Sequence, residues 1–187
     1  NDGTKMFVTG FTGDNVYEYT LSTGFDLTST VSFVDSFDVS THETAPGGLT
    51  FNNEGTKMFV VGENFKEVIE YTLTTPFDVS SASFVDSFDV VGQVWRPRDV
   101  AFNNDGTKMF VVGHNDEVDE FILSTGFDLS STITYVGAFN ISTQDDTPTG
   151  VTFNNDGTKM FVVGSGSGNV NEYTLSWAFK VTASSTC

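Results

Sequence analysis

Asp2-Gly3-Thr4-Lys5-Met6-Phe7-Val8 is written four times in this chain. It returns at Glu54 to Val60, Asp105 to Val111 and Asp156 to Val162 with one change, Glu54 for Asp. The Asn in front of it stands at 1, 53, 104 and 155, a period of 52, 51 and 51 residues. Other markers keep the same beat: Phe51-Asn52, Phe102-Asn103 and Phe153-Asn154; Glu18, Glu70, Glu120 and Glu172; Phe25-Asp26, Phe77-Asp78 and Phe127-Asp128. Self-similarity at a fixed period of this size marks a tandem architecture in which neighbouring units complete each other's cores.

Within one unit the pattern predicts four strands, a to d. Strand a is short and apolar, as in Gly48-Leu49-Thr50-Phe51. Strand b, Lys57-Met58-Phe59-Val60-Val61, is a continuous apolar run, expected of a strand covered on both faces. Strand c alternates, with Ile69, Tyr71 and Leu73 opposed to Val68, Glu70 and Thr72. Strand d is expected to set Phe84, Asp86, Phe88 and Val90 on one side. No stretch has the i, i+3, i+4, i+7 recurrence of a helix. Asn-Asp/Glu-Gly-Thr joins a to b as a tight hairpin in which Gly supplies the positive φ. Its Asp-Gly pair lacks the distal Glu of an EF-hand, so turn chemistry accounts for it. The Phe recurring between c and d is expected to anchor in the core.

A four-stranded meander repeated every ~51 residues is the pattern of a β-propeller blade, each blade burying two apolar faces against its neighbours. The fold class is therefore all-β. The units divide at 1–45, 46–96, 97–147 and 148–187, two complete blades between two partial ones. The run Asn-Asp-Gly-Thr-Lys-Met-Phe-Val-Val-Gly followed by Val-x-Glu-Tyr-Thr-Leu resembles the repeat core of the YVTN and WD40-like propellers of bacterial or phage surfaces. That resemblance implies the fold and leaves the function open, since propellers host lectins, scaffolds, adhesins and enzymes alike. The Trp-Asp pair of true WD40 repeats is absent, so their scaffold role does not carry over. The chain opens at an a–b turn and Cys187 aligns with the start of strand d, as Phe33 and Tyr135 do. Further repeats or a second chain are expected to complete the ring.

The chain has 187 residues, with 25 acids against 8 Lys and Arg, a net charge of −17. Nucleic-acid binding needs clustered bases and is excluded as an expectation. No run approaches the 18 apolar residues of a membrane helix. The four repeated Glu residues of strand c are matched by an equally periodic set, Lys5, Lys57, Lys108 and Lys159, and the two sets are expected to pair.

In a meander the a–b and c–d connections share one rim, and the b–c and d–a connections share the other. The first rim is nearly uniform and the second is not. Its b–c loops carry Phe65 and Lys66 in one copy and His114 and Asp116 in the next. Its d–a loops carry His42 and Glu43 in one copy and Trp95-Arg96-Pro97-Arg98-Asp99 in another. That last junction holds both arginines of the chain and one of its two tryptophans. Arg offers a planar fork to carboxylates or sugar hydroxyls, and Trp a flat face for stacking. Trp95, Arg96, Arg98, Asp99, Phe65, Lys66, His114, Asp116, His42 and Glu43 are therefore the expected contact residues. The alternative for Arg98 and Asp99 is a structural pair lining the channel.

No catalytic set or cofactor is predicted. His42 and His114 lie in different loop types, and no Ser-His-Asp or Cys-His arrangement is recognisable. A Ca²⁺ ion would have to be held by the rim acids Glu43, Asp116, Asp145 and Asp146. The expected function is a non-catalytic binding or adhesion module on a cell or virion surface, its partner a glycan or a surface protein. The alternatives are a structural repeat of an extracellular filament, tail or coat, and a propeller hydrolase such as a lactonase.

Overall fold

A computed structural model describes residues 2–182. Within these residues fourteen strands form four antiparallel sheets of three, four, four and three strands. The first holds β1 (Lys5–Val8), β2 (Asn15–Leu21) and β3 (Val31–Asp38). The second holds β4 (Pro46–Phe51), β5 (Lys57–Gly62), β6 (Glu67–Leu73) and β7 (Ala82–Asp89). The third holds β8 (Pro97–Phe102), β9 (Lys108–Gly113), β10 (Glu117–Leu123) and β11 (Ile133–Asn140), and the fourth β12 (Pro148–Phe153), β13 (Lys159–Gly164) and β14 (Val170–Thr174). Among the described residues the only helix is a 3-10 turn, Val79–Ser81. Each sheet is a meander with consecutive strands side by side, and the first strands β4, β8 and β12 pack on one another around the axis. These are blades of a β-propeller. Cys187 lies outside the described residues.

Two details depart from the sequence pattern. Strand a begins earlier than its apolar run, because Pro46 pairs with Gly62 across an irregularity before Gly48 resumes the ladder opposite Val61. Strand d does not keep one parity. The register shifts between Glu70 and Tyr71, so Tyr71 faces Phe84 while Glu70 faces Asp86, leaving Val85 as the extra residue of a bulge. Phe84 therefore turns toward His42 and Tyr71 on one side, while Phe88 packs into the core on the other. An inserted residue reverses alternation downstream, which a period-2 reading cannot register.

The core lies between sheets. One buried cluster joins Val16 and Val39 of the first blade to Met58, Val60, Ile69, Tyr71 and Val79 of the second. Equivalent clusters join the second sheet to the third and the third to the fourth. The recurring Phe of the c–d loop completes each interface: Phe7, Phe51 and Phe77 form one aromatic trio, Phe59, Phe102 and Phe127 the next. The same Phe residues hold φ of 56° to 58° at Phe77, Phe127 and Phe25. Each ring lies on the turn glycine of its own blade, where a Cβ on Gly106 would overlap Phe127.

The expected Lys–Glu pairs are present, and they do more than neutralise each other. Lys5 Nζ meets Glu18 Oε1 at 2.6 Å and also donates to the carbonyl of Phe77 in the following blade at 2.6 Å. Glu18 Oε2 accepts from the Val79 N–H of that same loop at 3.1 Å. Lys57 and Glu70 grip the Phe127 carbonyl (2.5 Å) and Leu129 N–H (2.7 Å) in the same way. Lys108 and Glu120 grip the Phe179 carbonyl and Val181 N–H. A salt bridge on one blade thus latches the main chain of the next. Asparagines add a second link, Asn53 donating to the Asn104 carbonyl and Asn104 to that of Asn155.

Candidate functional site

Both arginines converge on one carboxylate at the variable rim. Arg96 Nε and Nη2 form a two-pronged pair with Glu63 at 2.9 and 3.0 Å. Arg98 Nη2 reaches the same carboxylate at 2.9 Å, and its Nε donates to His114 Nε2 at 3.0 Å. The Arg98 guanidinium also lies over the Phe11 ring, 4.4 Å from its centroid. Trp95 is exposed, with its ring set edge-on to His114 at 6.2 Å and the Arg96 guanidinium 5.7 Å from its centroid. Phe11, Glu63 and His114 come from the b–c loops of three successive blades, so the cluster spans the rim rather than one loop.

The electrostatics follow from this packing. The Arg96 hydrogen bonds, with the charge of Arg98 behind them, hold Glu63 below the ordinary carboxylate range. Burial, then the neighbouring charges of Arg98 and Arg96, push the His114 imidazole down from its usual value. A neutral ring accepting at Nε2 carries its proton on Nδ1. Two guanidinium ions against one carboxylate leave a local surplus of positive charge in a chain of net charge −17. Arg96 holds φ of 53°, the left-handed region, which aims its side chain back across the loop toward Glu63.

Asp99 belongs elsewhere. It does not pair with Arg98: its oxygens accept from Val100 N–H and, in the next blade, Val151 N–H, both at 2.9 Å. Burial raises it to about 6. Glycines take the equivalent places 48 and 150, and a Cβ on Gly48 would crowd the Asp99 carboxylate. Asp99 therefore ties strand a of one blade to that of the next.

The other expected contact residues are dispersed. Glu43 is fully buried, and its carboxylate accepts from the N–H groups of Ala45, Asn64 and Phe65, so it shapes a loop from within. Asp145 does the same two d–a loops further on, accepting from Thr147 and Ser167 N–H. With both carboxylates so engaged, Glu43, Asp116, Asp145 and Asp146 do not gather as a cation site; no cluster of three such ligands occurs among the described residues. Lys66 and Asp116 occupy the left-handed position of the b–c turn, with φ of 60° and 58°, the place that Gly168 fills in the last copy. Phe65 is exposed, and neither it nor Lys66 joins the hydrogen bonds around Glu63. His42 stacks on Phe84 at 4.0 Å, in the preceding d–a loop.

Sequence reasoning missed Glu63 and Phe11. The signal for Glu63 was present: it is an acid on the loop facing the only two arginines, but nothing local to either segment announces that they meet.

No family model matches the chain, and no curated protein matches it. Similar folds are plentiful among solved structures. A functionally unknown protein from Desulfotomaculum acetoxidans aligns at 18% identity with a TM-score of 0.62, covering 98% of this chain and 54% of its own. A Bacteroides uniformis protein whose name proposes a 6-phosphogluconolactonase aligns at 16% and 0.60, covering 92% and 48%. The periplasmic gluconolactonase of Pseudomonas aeruginosa aligns at 16% and 0.57, covering 92% and 47%. The chain thus spans about half the length of these proteins. At such identities the likeness establishes the propeller fold and no repeat family.

Proposed function

We propose that the chain is a non-catalytic binding module whose variable rim contacts a glycan or surface protein on a cell or virion. The observation that carries this is the cluster at the rim. Both arginines and an exposed tryptophan of one d–a junction are met there by b–c loop residues of three successive blades, on a scaffold whose opposite rim is nearly uniform. Loops held by a rigid frame are where recognition concentrates. Trp95 offers a stacking face, and Arg96, anchored through two of its donors, has its remaining N–H groups for a carboxylate or hydroxyl. In this reading Glu63 and Arg98 are positioning residues, and Trp95 and Arg96 touch the partner.

The test is binding of the soluble chain to glycan arrays and to cell surfaces. Trp95→Ala and Arg96→Ala should each remove binding, and Trp95→Ala should shift stability by no more than about 0.5 kcal/mol, as surface substitutions do. Parallel loss of binding and melting temperature would make the cluster a structural clasp. The lactonase names of two similar structures support a second reading, a propeller hydrolase, which is tested by following acid release from gluconolactone and 6-phosphogluconolactone. Against it stands His114, whose one free lone pair is occupied by Arg98 and so is not poised to take a proton.

A further inference from the structure

Each end of the chain carries one half of the latch that closes the three interfaces inside it. On the fourth sheet, Lys159 and Glu172 pair at 2.7 Å in the places of Lys57 and Glu70, but among the described residues their side chains hold only each other. On the first sheet, Phe25 and Leu27 stand where Phe127 and Leu129 stand in the third. Among the described residues no Lys–Glu pair grips Phe25 or Leu27.

The apolar surfaces beside these halves are bare in the same complementary way. Val170 is 70% exposed, while its counterparts Val16, Val68 and Val118 are fully buried against the following blade. Leu27 is 68% exposed where Val79, Leu129 and Val181 are buried, and Phe25 is 78% exposed where Phe179 is 8%. Phe161 occupies the place of Phe59 and Phe110, each of which stacks on a phenylalanine of the next blade. One face needs a following c–d loop, and the other supplies one.

We propose that a second copy of the chain seats its first sheet on this fourth sheet, and that two copies close one ring through two such seams. Lys159 Nζ donates to the carbonyl of Phe25 of the partner subunit, and the Glu172 carboxylate accepts from the N–H of Leu27 of the partner subunit. Val163 and Val170 cover the bared apolar face, continuing an interface already built three times. Two copies fit the circumference, because the single chains of the similar propellers are about twice as long as this one.

Sedimentation and light scattering of the native chain across a concentration series test the proposal. The expected species has twice the 20.3 kDa chain mass and dissociates on dilution. Glu172→Lys and, separately, Leu27→Asp alter exposed residues, so each should give a folded 20.3 kDa monomer by circular dichroism and scattering. An equimolar mixture of the two variants keeps one sound seam and should restore part of the double-mass species. A native chain that stays monomeric overturns the proposal and assigns the bare faces to repeats in cis. A ladder of larger oligomers, a dimer that survives both substitutions, or no recovery on mixing also overturns it.

Discussion

Single residues set local conformation and charge. Gly106 holds φ of 71° beneath the Phe127 ring, so conformation and space both demand the absence of a side chain there. Asp99 is the opposite case, a carboxyl placed where two other blades have glycine. Burial lifts it from 3.8 to about 6, so the folded chain binds its proton more readily than the unfolded chain does. Stability from this group therefore rises as pH falls from about 6 to about 4 and is lost again above that window. Asp99→Asn should remove that contribution. Relative to the native chain, the variant should melt higher at pH 7 than at pH 4, measured by circular dichroism. An identical offset at both pH values would show that Asp99 titrates normally.

At the scale of the element, the latch is the organising device. Glu70 is buried and satisfied by Lys57 Nζ at one oxygen and Leu129 N–H at the other. Glu70→Ala leaves a partly buried ammonium and a buried N–H without their acceptor, and should cost about 3 kcal/mol in denaturant unfolding. The same change at Glu172, whose side chain is 48% exposed, should cost less than about 1 kcal/mol in the dissociated chain. Equal losses would mean that the latch does not act between blades. How much of this was legible depends on range. The blade itself could be read, because Phe59, Val60 and Val61 report burial on both faces and Gly55 reports its turn. The Lys–Glu pairing could also be read, since both residues recur together. The bulge at Val85 could not, because one extra residue changes parity without changing composition. Nor could the meeting of Arg98 with Phe11, which are 87 positions apart and belong to different units. Glu43 misled for a related reason: its charge suggested the surface, whereas three loop N–H groups give it a place inside.

Across the whole molecule, a net charge of −17 on 187 residues opposes compaction. Added salt shortens the screening length from about 10 Å at 0.1 M to about 3 Å at 1 M. Repulsion between distant surface acids should fade, while the close, partly buried Lys–Glu pairs lose little. The melting temperature should accordingly climb with sodium chloride, followed by calorimetry. A decline would show that exposed ion pairs, rather than mutual repulsion, dominate the electrostatics.

The grip of Lys57 and Glu70 on a carbonyl and an amide has one more consequence. Every amino acid supplies the carbonyl and every one but proline the N–H, so the joint is indifferent to most of what the neighbouring module spells. Copying such a segment within a gene would deliver a fastening that already works, and its outward edge could diversify while the clasp stayed sound. Enlargement by duplication, and exchange of whole segments by design, are both open to a chain assembled this way.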